Sequence, residues 1–141
     1  MASKADFTEE QWETLQRGLT GTGMLVSMAD PGLMDSFGES SALAKYLQSQ
    51  RVAGATELMR ELGGTRGTGF GLTTKPDEVR AGTILALQSA VEILSARAPE
   101  EVEPYRQVVL GVATAVAEAK QGVSPSEAAV IDAIKEALGS A

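Results

Sequence analysis

The sequence predicts an all-α fold: one domain over residues 1–141, a bundle of six or seven helices with 75–97 and 99–121 as a central antiparallel pair. Three observations carry this prediction. Apolar residues recur at helical spacing in every long segment, and none shows sustained alternation with a period of two, so no sheet is expected. Turn residues punctuate the periodic stretches at Asp30-Pro31-Gly32, Gly63-Gly64, Ala98-Pro99, Gly122 and Gly139. Hydrophobic residues make up 43% of the chain but aromatics only 4%, so the core is aliphatic and rich in alanine, the strongest helix former. A chain of 141 residues buries such a core without disulfide or metal staples.

Residues 1–7 read as an N-terminal tail. Thr8 and Gln11 have capping-box spacing, and Phe7 and Trp12 flank the cap as a hydrophobic staple. Glu9 and Glu10 fall in the first turn, where the helix dipole favours negative charge. Trp12 is therefore expected in the core. Gly18, Gly21 and Gly23 predict a bend or break before helix resumes through Met24 to Ala29.

After Asp30-Pro31-Gly32 a second helix is expected from Leu33 to Gln50, with Phe37, Ser41, Ala44 and Leu47 or Gln48 along one side. A third carries Val52, Ala55, Leu58, Met59 and Leu62 inward and ends at Gly63-Gly64, one glycine supplying a left-handed cap. Residues 63–75 form the only extended loop, rich in glycine.

Thr74 and Asp77 then flank Pro76 as a capping pair. Val79, Thr83, Ala86, Leu87, Ala90, Val91 and Leu94 define one face of the following helix, and Ile84, Leu85 and Ile93 widen it. A helix apolar over most of its circumference is expected to be buried. Pro99 suits a first helical position, followed by Glu100, Glu101 and Glu103 as a solvated, acidic first turn. Val102, Tyr105, Val109, Val112 and Val116 form the inward stripe of that helix. Tyr46 and Tyr105 are expected half-buried, with their hydroxyls in water. The last helix starts at Ser124-Pro125-Ser126-Glu127, turns Ala128, Ile131, Ile134 and Leu138 inward, and stops at Gly139.

The chain contains no histidine and no cysteine. That excludes Ser-His-Asp triads, cysteine nucleophiles, zinc fingers, His-ligated metals and disulfides. Paired carboxylates for glycoside hydrolysis are allowed by composition, but so few aromatics offer no sugar platform. The expectation is a protein without enzymatic activity. With 19 acidic and 12 basic residues the net charge is −7, and the basic residues are scattered, which disfavours nucleic acid. No apolar run is long enough for a membrane span, and residues 1–10 lack the apolar core of a secretory signal, so the expected location is cytoplasmic.

The glycine loop fits neither phosphate fingerprint. Lys75 precedes Pro76 instead of following glycine ahead of Ser or Thr, and Leu72 stands where a dinucleotide-binding loop needs its third glycine. Arg66 and Lys75 remain able to hold an anion, and Phe70 either anchors the loop or meets a partner. Asp30, Asp35 and Glu39 surround one interhelical turn and offer the oxygen ligands that Ca²⁺ or Mg²⁺ requires, though not at EF-hand spacing.

The run Glu118-Ala119-Lys120-Gln121-Gly122, then Val123-Ser124-Pro125-Ser126-Glu127, then Ile131 and Ile134, resembles the repeat of tellurite-resistance (TerB-like) helical domains. Ala29-Asp30-Pro31-Gly32-Leu33 is similar to the first half of the same signature, and 98–120 resembles small bacterial helical proteins. The chain departs from the pattern at Gln121, where the second turn has Asp, at the inserted Pro31, and at Glu39, one residue out of register behind Asp35. The resemblance implies a bacterial, stress-associated setting and a divalent-cation role for Asp30 and Glu127, with Asp35 or Glu39. Three function classes follow: a non-catalytic module acting through a protein partner or self-association, an acidic cation-binding domain, and a lipid- or ligand-binding bundle. The last would use an adaptable interior of Met24, Met28, Met34 and Met59.

Overall fold

The computed structural model describes residues 3–28, 36–64, 76–118 and 125–139. Every regular element among them is helical. A 3-10 turn at Lys4–Asp6 leads into α1 (Glu9–Met28), followed by α2 (Ser36–Ala53), α3 (Glu57–Leu62) and α4 (Pro76–Arg97). A second 3-10 turn, Pro99–Glu101, joins α4 to α5 (Val102–Glu118), and α6 (Pro125–Ala137) completes the bundle.

The start of α1 forms as its sequence dictates. The Thr8 amide donates to Gln11 Oε1 at 3.0 Å, and the Gln11 amide donates to Thr8 Oγ1 at 3.1 Å, a reciprocal capping box. The rings of Phe7 and Trp12 close the staple at 6.5 Å between centroids, both buried. Residues 3–7, read as an N-terminal tail, carry a 3-10 turn at Lys4–Asp6 that is exposed but anchored at the buried Phe7. The Lys4 amide reaches both oxygens of Glu61 at 3.3 Å, and Arg97 donates to the Asp6 carbonyl at 3.1 Å. These bonds tie the N-terminal turn to α3 and to the end of α4.

The expected break at Gly18, Gly21 and Gly23 does not occur: α1 runs unbroken for 20 residues. The cost of glycine in a helix is offset by close packing. A Cβ on Gly18 would collide with the Tyr105 hydroxyl and stand 3.1 Å from Leu87 Cδ2. One on Gly21 would collide with Thr83 Oγ1 and stand 3.0 Å from its Cγ2. Because 18 faces 87 and 21 faces 83, α1 and α4 are antiparallel.

The α4–α5 pair is central, as the sequence predicts, and α1 lies against both of its members. Among the described elements the α1–α4 interface is the most extensive and α1–α5 the next. Leu15, Leu19, Leu87, Leu94, Val109, Val112 and Ile134 are fully buried in one core. Each large aliphatic side chain contributes about 1.5–3 kcal/mol relative to exposure.

Tyr105 corrects the expectation of a wet hydroxyl. It is completely buried, and its hydroxyl donates to the Leu15 carbonyl at 2.7 Å, joining α5 to α1. Tyr46 is half-buried, as expected, with its ring against Gly111 of α5.

α3 ends at Gly63, but the glycine is right-handed (φ −60°, ψ −17°) and supplies no left-handed cap. It is needed there because a Cβ would stand 2.6 Å from both the Leu47 carbonyl oxygen and the Arg51 amide nitrogen of α2. α6 stops at Gly139 as expected, and that glycine is left-handed, with φ 72°. Arg106 of α5 donates from Nε to the Leu138 carbonyl at 2.9 Å, holding the last turn of α6 against α5.

The inward residues of α3 are Leu58, Met59 and Leu62, whereas Val52 and Ala55 are exposed, Val52 by 83%. Gly54 ends α2 and turns the chain between them, so these two positions never share a face with α3. In α6, Ile134 and Leu138 are buried while Ala128 is exposed.

Thr83 is completely buried, and its hydroxyl has no hydrogen-bond partner among the described residues. An unsatisfied buried hydroxyl costs about 1–3 kcal/mol. Thr83→Val keeps the branched shape and removes that cost, so it should raise stability by about 1 kcal/mol, read as a higher urea midpoint at unchanged slope. A lower midpoint would show that the hydroxyl is satisfied in solution.

Candidate functional site

The acidic positions singled out from the sequence fall largely outside the described residues. This holds for Asp30 and Asp35, and for the side chains of Glu39 in α2 and Glu127 in α6. Arg66, Phe70 and Lys75 of the glycine loop also lie outside. Among the described residues no group of three Asp or Glu side chains is placed to hold a metal ion.

The acidic run after Pro99 is divided by the fold into three environments. Glu100 is exposed. Glu101, expected in solvent, is only 4% exposed, and its carboxylate accepts a hydrogen bond from Thr56 Oγ1 at 2.7 Å. Thr56 is the N-cap of α3 and accepts from the Met59 amide at 3.2 Å, so one hydroxyl serves both helix and carboxylate. The reason for the correction is geometric: the 3-10 turn at Pro99–Glu101 rotates position 101 toward α3. Glu103 stays at the surface, bonded by Gln107 Nε2 at 3.2 Å and by Arg106 at 3.1 Å. The Gln107 bond first, and Arg106 second, hold its carboxyl below the ordinary range. Glu101 and Glu103 are fastened within the chain, and among the described residues the three acids form no metal-holding group.

Among the described residues, the outer face of α4 leaves apolar side chains exposed. Val79, Ala86, Leu87, Ala90 and Leu94 point into the core. Leu85 is 64% exposed, Ala81 is exposed, and Ile84 is half-buried. With Asp77, Arg80 and Gln88 they line a shallow groove of about 460 Å³. By length and composition α4 is apolar enough to cross a membrane, with mean hydropathy 1.2 over its best window, and 33% of that window is buried. Apolarity over most of its circumference predicts burial of this helix, yet its outer face is open. The missed signal was the spacing of Ala81, Ile84, Leu85 and Gln88, which form a second stripe beside the inward one.

The adaptable methionine interior divides in the same way. Met59 is completely buried and Met24 half-buried, while Met34 and the side chain of Met28 lie outside the described residues. No protein-family model, curated protein or solved structure matches this chain.

Proposed function

We propose that the chain is a non-catalytic helical module that engages a protein partner through the outer face of α4. The observation carrying this reading is the mismatch between the apolarity of α4 and its burial, which leaves Leu85 64% exposed and Ile84 half-exposed beside it. Apolar side chains grouped on one face, rimmed by Asp77, Arg80 and Gln88, have the make-up of a small interface: an apolar centre with a polar border. Among the described residues Val52 is also a large exposed apolar side chain, and it stands on α2 outside that groove. The lack of histidine and cysteine supports a binding role over a catalytic one. A TerB-like relationship, a bacterial stress setting and a cytoplasmic location accompany the proposal as the context to be tested with it.

A photo-crosslinking residue placed at Leu85 should give a discrete adduct in cells, whereas the same residue at Val52 should give none. An adduct at twice the chain mass would identify a second copy as the partner. Equal labelling at both positions, or labelling of lipid alone, would refute the proposed protein interface.

A further inference from the structure

A second concavity lies on another side of the bundle, where the N-terminal turn, α1, the end of α2 and α3 meet. Its volume is about 530 Å³, within the range of small-molecule sites. Lys4, Arg51 and Arg60 contribute three cations to it, against the two carboxylates of Glu57 and Glu61. The locality is thus net positive in a chain of charge −7. Its floor is Trp12, the only tryptophan, with Lys4 Nζ 5.6 Å from the ring centroid.

A cation in the last turn of a helix is ordinary, because it faces the negative end of the dipole. Arg51 and Arg60 both hold such positions. The dipole does not explain why both converge with Lys4 on one hollow while remaining without a carboxylate. Arg106 pairs with Glu103, whereas among the described residues no ion pair is seen for any of the three cleft cations. Glu61 directs both oxygens to the Lys4 backbone amide at 3.3 Å, so it serves the main chain. Arg60 spends one donor on the Gly54 carbonyl at 3.3 Å. The rest of its fork, together with Arg51 and the Lys4 ammonium, is directed at no acceptor of the described chain.

Guanidinium forks match the paired oxygens of carboxylate and phosphate, and an ammonium adds a movable point charge. We propose that this cleft binds a small polyanion carrying phosphate or carboxylate groups, held by Arg51 and Arg60 with Lys4 closing from the N-terminal turn. The site is independent of the α4 face, so failure of either proposal leaves the other standing.

The experiment uses the whole chain with inorganic pyrophosphate and citrate as probes, and sodium chloride at matched ionic strength as reference. Trp12 emission reports the site directly because no other tryptophan contributes. A melting-temperature rise reports binding that leaves the emission unchanged. Saturable binding of one or both probes is expected, with pyrophosphate alone pointing to phosphate compounds and citrate alone to carboxylates. Arg51→Gln, at an exposed position, should weaken binding by roughly tenfold, the loss of one charge-assisted contact. Lys45→Gln, exposed on α2 and outside both concavities, should leave it unchanged. The proposal is overturned if neither probe shifts emission or melting beyond the chloride reference, or if Arg51→Gln binds as tightly as the parent.

Discussion

Gly18→Ala should destabilise the protein by about 1–3 kcal/mol, the range for overpacking a close-packed core. The sign is the informative part. In an exposed helix interior the same change stabilises by about 1 kcal/mol, because alanine is the better helix former. Here the new methyl meets the Tyr105 hydroxyl within van der Waals contact and Leu87 Cδ2 at 3.1 Å. The hydroxyl is poorly able to yield, since it is fully buried and bonded to the Leu15 carbonyl at 2.7 Å. In a Tyr105→Phe background the obstructing oxygen is gone, and the nearest remaining atoms are Leu87 Cδ2 at 3.1 Å and Tyr105 Cζ at 3.5 Å. Gly18→Ala should then be close to neutral. A double-mutant cycle from urea midpoints should give a coupling energy of about 0.5–3 kcal/mol between 18 and 105. A stabilising Gly18→Ala in the parent protein would mean that α1 stands farther from α5 in solution.

Tyr105→Ala carries the largest expected loss, about 3–5 kcal/mol, as for other large aromatic-to-alanine changes in a core. Against a typical total of about 5–15 kcal/mol, such a variant is partly unfolded at ambient temperature if the parent lies at the low end. Tyr105→Phe separates the hydroxyl from the ring and should cost about 0.5–1.5 kcal/mol, the net value of one hydrogen bond.

The phenylalanine variant also changes the response to alkali. Burial pushes the Tyr105 hydroxyl far above its ordinary value of 10.0. The folded protein therefore keeps a proton that the unfolded chain releases. This contribution is fully present below pH 10 and is lost as pH rises above it, at about 1.4 kcal/mol per unit. Burial raises Tyr46 in the same direction, and that effect persists in the variant. Denaturant midpoints measured above pH 10 should fall less steeply for Tyr105→Phe than for the parent. Parallel slopes would show that the hydroxyl reaches water in the native state.

The features readable from sequence were those set by neighbours along the chain. The Thr8–Gln11 capping box, the Phe7–Trp12 staple, the helix stop at Gly139 and the inward stripe of α5 depend on spacings of a few residues. What escaped depends on partners distant in sequence. Gly18 and Gly21 appear as helix breakers until Tyr105 and Thr83 are placed against them. Glu101 looks like one solvated acid among three until Thr56 is brought to it. The outer face of α4 looked like core because hydropathy counts apolar residues without showing which side of the helix a neighbour covers. The basic cleft was invisible for the same reason: Lys4 lies more than forty positions before Arg51 and Arg60, and the three share no motif.

The pairing of α1 with α4 has a consequence for how the chain reaches this structure. Its closest approaches join residues separated by roughly sixty positions or more, a non-local arrangement by the standards of small helical domains. Forming it requires closure of a long loop before the glycine-to-side-chain contacts can reward the entropy lost. Local helices should therefore appear early, with docking of α1 onto α4 as the late step that limits the rate. Overpacking substitutions at Gly21, which lies in that contact against Thr83, would then slow refolding as well as accelerate unfolding.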